Sequence, residues 1–155
     1  MKITIRQFKN RFLTNHVKNS VSFFAEQLGL TKKEIHNLKI KIVMVDDLQA
    51  DGFCMKLSKK NYYFEINRDL SYEQLMLTIA HEMVHVKQYI LGELKSCYIR
   101  GKPVDVWRGM SYTYTKYLDQ PWEQEATELE GDLYMNYVSE CFALGKLDFE
   151  KLKHV

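Results

Sequence analysis

The sequence predicts one α+β domain over residues 1–155: N-terminal helices, a small, mostly antiparallel three-stranded sheet, a long central helix, a long loop and a C-terminal helix. Three observations carry this prediction. An apolar stripe of helical period runs through Leu75, Ile79, Met83, Val86 and Ile90. The run Lys39-Ile40-Lys41-Ile42-Val43-Met44-Val45 alternates and is β-branched, as a strand requires. Hydrophobic residues make up 46% of the 155, enough for one core without disulfides.

The elements follow in order. Val17, Val21, Phe24, Ala25 and Leu28 form the apolar face of a helix over 15–28, and Gly29 stops it. Thr31, with Glu34 three residues on, opens a short helix to about Leu38. After strand 39–45, Asp46-Asp47 and Asp51-Gly52 are turn material. Residues 53–57 and 62–66 read as two short antiparallel strands. Between them Lys56-Leu57-Ser58-Lys59-Lys60 is the densest basic patch and reads as a solvated turn. Ser71 and Gln74 form a capping box for a helix over 71–91, Glu73 adds charge to its first turn, and Gly92 ends it. Residues 96–118 are rich in Tyr, Gly and charge and read as a long loop with room for a hairpin. Pro121 starts a last helix through Ala126, Leu129, Leu133, Tyr137 and Val138 to about Leu144-Gly145.

The central helix carries His81-Glu82-Met83-Val84-His85. Histidines four apart lie about 40° apart around a helix and one turn apart along it, so both rings can reach one metal ion. Zn²⁺ takes imidazole nitrogens at about 2.0–2.1 Å. Glu82 then points beside the ion, where a general base belongs. With only five histidines in the chain, an accidental HExxH in a helical frame is improbable.

Composition narrows the alternatives. A formal charge of +2 is too small to argue for a nucleic-acid or anionic-membrane partner. Cys54, Cys97 and Cys141 are odd in number and show no CxxC spacing, which argues against a disulfide framework and for a reducing compartment. The charged N-terminus lacks the apolar core of a signal peptide, and no run is long enough to span a membrane. A cytoplasmic location in the producing or host cell is the expectation.

A catalytic zinc site needs a third protein ligand. Gln88 and Leu91 occupy the Gly and His positions of an HExxHxxGxxH pattern, and the only later histidine is His154, at the C-terminus. Cys97 would be an unusual partner. Glu93 lies about 12 Å along the same helix axis from His85 and cannot reach. Asp105, Asp119 and the series Glu123, Glu125, Glu128, Glu130 and Asp132 remain, with the series favoured because a second packed helix makes a rigid site. Glu123 and Glu125 lie about 200° apart on a helix, so one of them at most faces the metal.

The run His81 to Tyr89, followed by Trp107-Arg108-Gly109 and then Pro121-Trp122-Glu123-Gln124-Glu125-Ala126, resembles small phage- and prophage-type metallopeptidases. These are gluzincins, and the chain is also similar to SprT-like and ImmA/IrrE-type zincins, over about residues 62–140. The resemblance implies a zincin-like fold and one Zn²⁺, with a Glu-x-x-Ala element supplying the third ligand. It selects Glu123, with Ala126 letting the helices approach and Glu125 in reserve. The chain departs from those relatives in having neither a zinc ribbon nor a helix-turn-helix segment.

The expected activity is therefore peptide hydrolysis on a protein or peptide substrate, with Glu82 as base. Tyr112, Tyr114, Tyr117 and Tyr89 are the candidate oxyanion donors. Zinc peptidases commonly run a strand just above the metal helix, where an extended substrate adds to its edge. Tyr62, Tyr63, Phe64, Glu65, Ile66 and Asn67 are the candidates for it. The main alternative is a catalytically silent binding or assembly protein. A deformylase would need a Glu-Gly-Cys element and an upstream Gly-rich segment, and neither is found.

Overall fold

A computed structural model describes residues 1–8, 10–99 and 101–148. It has mixed α and β structure with two sheets. The first contains β1 (Lys2–Arg6), β2 (Lys39–Val45), β3 (Gly52–Lys56) and β4 (Asn61–Asn67), in the order β1-β2-β4-β3. β1, β2 and β4 are parallel and β3 runs antiparallel on the outside. The expected three-stranded, mostly antiparallel sheet is corrected on both counts. Its missing member is the Lys2-Ile3-Thr4-Ile5-Arg6 alternation, read from sequence only as a charged terminus. Helices α1 (Arg11–Gln27) and α2 (Lys32–Asn37) return the chain from β1 to lie parallel beside it as β2.

β4 enters between β2 and β3, so its backbone is paired on both sides. Tyr62, Tyr63, Phe64, Glu65, Ile66 and Asn67 therefore offer no free edge, and the substrate-edge expectation for them is overturned. The two edges of this sheet belong to β1 and β3, and β3 is the edge that lies against α3.

Tyr62, Phe64 and Ile66 face inward with Ile40, Ile42 and Met44 to form the sheet side of the core. The central helix α3 (Tyr72–Ile90) packs on that face through Leu75, Met76, Ile79 and Met83. The Ser71–Gln74 capping box holds its start, as expected. α4 (Pro121–Ala143) lies against α3, burying Trp122, Ala126, Leu133, Tyr137 and Cys141. α1 starts earlier than the stripe predicted, because the Asn10 side chain caps it by accepting from the amides of Phe12 and Leu13.

Most of the expected 96–118 loop is a second sheet: β5 (Leu94–Ile99), β6 (Lys102–Trp107) and β7 (Met110–Tyr112), all antiparallel. Arg108 and Gly109 join β6 to β7 with φ of 45° and 88°. Two successive positive φ angles are the mark of a tight hairpin turn. Leu94, Trp107 and Trp122 pack together and tie this sheet to the start of α4. No helix among the described residues is long and apolar enough to cross a membrane.

Candidate metal centre

The middle of α3 presents His81 and His85 on one face, with ring centroids 4.9 Å apart and planes at 80°. Glu123 reaches them from the first turn of α4, where Pro121 sits at the helix start. Ala126, fully buried one turn later, lets the two helices come close. Glu123 Oε2 lies 3.1 Å from His81 Nε2, and Oε1 lies 3.3 Å from His85 Nε2. One donor atom from each of the three side chains lies within 4.8 Å of the other two. Bonds of about 2.0–2.1 Å at tetrahedral angles would set donors about 3.3 Å apart, so the observed spacing suits one small cation. This group can hold a metal ion.

The outer nitrogens are also held. His81 Nδ1 donates to Glu130 Oε2 at 2.7 Å, and His85 Nδ1 donates to Gln88 Oε1 at 2.9 Å. The Gln88 amide has one sensible orientation, because its NH₂ donates to Trp122 O and Glu125 Oε2, both at 2.9 Å. Its oxygen must then accept from His85. With a proton kept on each Nδ1, it is the Nε2 proton shared with Glu123 that each ring would give up, leaving both Nε2 lone pairs to face a metal.

Charge is concentrated here. Burial opposes charge on both imidazoles, but Glu123 and Glu130 raise His81 to about 10, and Glu123 raises His85 as well. Burial also opposes charge on Glu123, yet hydrogen bonds from His81, His85 and Tyr117 hold its carboxyl well below the usual range. Glu82 is only 4% exposed, and burial lifts it to about 7 against the pull of His85 and His81. Its Oε2 is buried and meets no hydrogen-bond donor among the described residues. A buried carboxylate oxygen left free beside a cluster of ligand atoms fits a site built around a cation and a water.

The edge strand passes directly over this carboxylate. A Cβ on Gly52 would come within 2.5 Å of Thr78 Cγ2 and 3.1 Å of Glu82 Oε1, so the position admits only glycine without displacement. Gly52 is thus more than the turn residue it resembled. Two hollows of about 390 and 460 Å³ open along β3 and meet at His81, Glu82 and Tyr117.

The remaining expected residues separate. Glu125, the reserve ligand, points away to Gln88, to Lys87 at 3.3 Å and to Arg108 at 2.6 Å. Asp105 accepts from Ser96 Oγ at 2.7 Å, and Cys97 is exposed on β5. His154 lies outside the described residues. Of the four tyrosines, Tyr117 reaches the cluster, donating to Glu123 from a single 3-10 turn, Tyr117–Asp119. Tyr89 lines one hollow beside Tyr62 and beneath Lys56. Tyr112 packs edge-on against Trp122, and Tyr114 is exposed.

Sequence reasoning weighed Glu130 only as one of the acidic series that could supply the third ligand, and gave Gln88 no role; neither was expected to hold a histidine's outer nitrogen. Their signals were present: Glu130 is two turns past Glu123 on the same face, and Gln88 is one turn past His85. The chain matches no known family, curated protein or solved structure.

Proposed function

We propose that this chain is a zinc-dependent peptidase with a zincin-like arrangement, in which His81, His85 and Glu123 hold one Zn²⁺ and Glu82 is the general base. The observation that carries this reading is the convergence of the three ligand atoms beside a buried carboxylate with an unpartnered oxygen. Held by these three residues, Zn²⁺ would supply Lewis-acid chemistry, bringing the pKa of a bound water to about 7 and polarising a substrate carbonyl. Glu82 takes the water's proton and passes it to the leaving amine. Tyr117, at the junction of the two hollows, donates to the developing oxyanion. β3 offers its free edge to the backbone of an extended peptide, which holds the scissile bond over Glu82. Glu130 and Gln88 keep both imidazoles in the ligating tautomer.

The test is metal content and cleavage of an unstructured protein by wild type and Glu82→Gln. Wild type should hold about one zinc and cleave, while the variant keeps its metal and loses about 10²–10⁴-fold in rate. Wild type that retains zinc and cleaves nothing would transfer the reading to a silent binding protein.

A further inference from the structure

The basic run Lys56-Leu57-Ser58-Lys59-Lys60 does not stand alone in the folded chain. Lys33 from α2 and Lys95 from β5 join Lys56, Lys59 and Lys60 around one groove of about 670 Å³. Among the described residues none of these five lysines has an acidic partner. The groove's one carboxylate, Glu34, is engaged by the Thr31 amide and hydroxyl, both at 2.7 Å. Five ammonium groups at one groove create a positive field strong enough to attract and orient an anionic segment.

The groove also continues from the candidate active site. Tyr89 lines both it and the hollow beside His85 and Glu123. Gly52, Cys54 and Lys56 pair with Ile66, Phe64 and Tyr62, whose side chains face α3, so these three residues share the cleft side of β3. From Gly52, over Glu82, to Lys56 the strand advances about 13 Å.

We propose that this groove receives an acidic segment of an extended peptide paired along β3, and so selects substrates with acidic residues about four positions from the cleaved bond. The cleavage part rests on the peptidase reading above. Antiparallel pairing, the commoner mode, runs the peptide from Lys56 towards Gly52 and puts the acidic residues upstream of the bond. A peptide fits better than a nucleic acid for two reasons. The free strand edge offers backbone hydrogen bonds that only another backbone matches, and the groove's aromatic ring, Tyr89, already carries Lys56 at 5.0 Å.

The experiment uses full-length Glu82→Gln protein and fluorescein-labelled peptides that differ only in an N-terminal block of glutamate or glutamine. By anisotropy at low salt the glutamate peptide should bind at least about ten-fold tighter, and high salt should erase the difference. The exposed pair Lys59→Glu with Lys60→Glu should remove it, and Lys59→Gln with Lys60→Gln should reduce it. Equal affinities in wild-type lysine background overturn the proposal, as does an oligothymidylate of equal charge that binds tighter and displaces the peptide. Mass-spectrometric mapping of cleavage by the unaltered chain separates the two readings. Anisotropy preference without any cleavage upholds the groove and sinks the peptidase, whereas cleavage of both peptides with equal binding does the reverse.

Discussion

Glu123 and Glu125 sit two residues apart on α4, about 200° around the helix, and that angle decides their roles. Glu123 faces two imidazoles, whereas Glu125 faces Lys87, Gln88 and Arg108. Glu123→Gln should strip zinc from the purified protein, read as metal content after dialysis, while Glu125→Gln should keep it. Gln88 is a subtler case, since it touches His85 without reaching the ligand cluster. Gln88→Leu leaves the His85 Nδ1 proton without its acceptor, so zinc affinity measured by chelator competition should weaken about 10–100-fold.

At the scale of elements, β3 is the piece on which the site depends. It lies at the sheet edge with one side of its backbone unpaired, and it crosses α3 closely enough that Gly52 sits against Thr78 and Glu82. Gly52→Ala should push strand and helix apart. Overpacking of this kind costs about 1–3 kcal/mol, visible as a lower urea midpoint, and cleavage should fall further than stability alone explains. β5–β7 show the limits of reading a loop from composition. Tyr, Gly and charge marked residues 96–118 as a long loop with room for a hairpin; the hairpin is there, its Arg108-Gly109 turn pairing Trp107 with Met110, but it extends into a three-stranded sheet that composition did not show.

Across the whole molecule, His16 joins three helices. On α1 it is 5% exposed, its ring meets the Tyr72 hydroxyl at the start of α3, and its carbonyl accepts from Tyr137 of α4 at 2.9 Å. Burial lowers its pKa from 6.5 to about 4. The folded state therefore disfavours the proton that the unfolded chain accepts near pH 6.5. Stability from this group is complete above that pH and declines as pH falls towards about 4. The loss should reach about 2 kcal/mol between about pH 7.5 and about pH 5. Urea unfolding at both values checks it: His16→Gln should show a smaller drop than the parent chain, and equal drops would exclude His16 as the cause.

The local patterns were legible in the sequence because they depend on spacing along one chain. The 3.6-residue stripe and the Ser71–Gln74 box specified α3, and HExxH specified two ligand atoms one turn apart. Proximity to Pro121 marked Glu123 and Glu125 together as a helix's first turn, but residue identity alone could not choose between them without the resemblance. Only the tertiary structure decided which strand edge lies beside the site, where Gln88 and Glu130 point, and that Lys33 and Lys95 join the Lys56–Lys60 run around one groove. Those features depend on how separate elements are placed against one another, and that placement comes from long-range packing rather than from any local period.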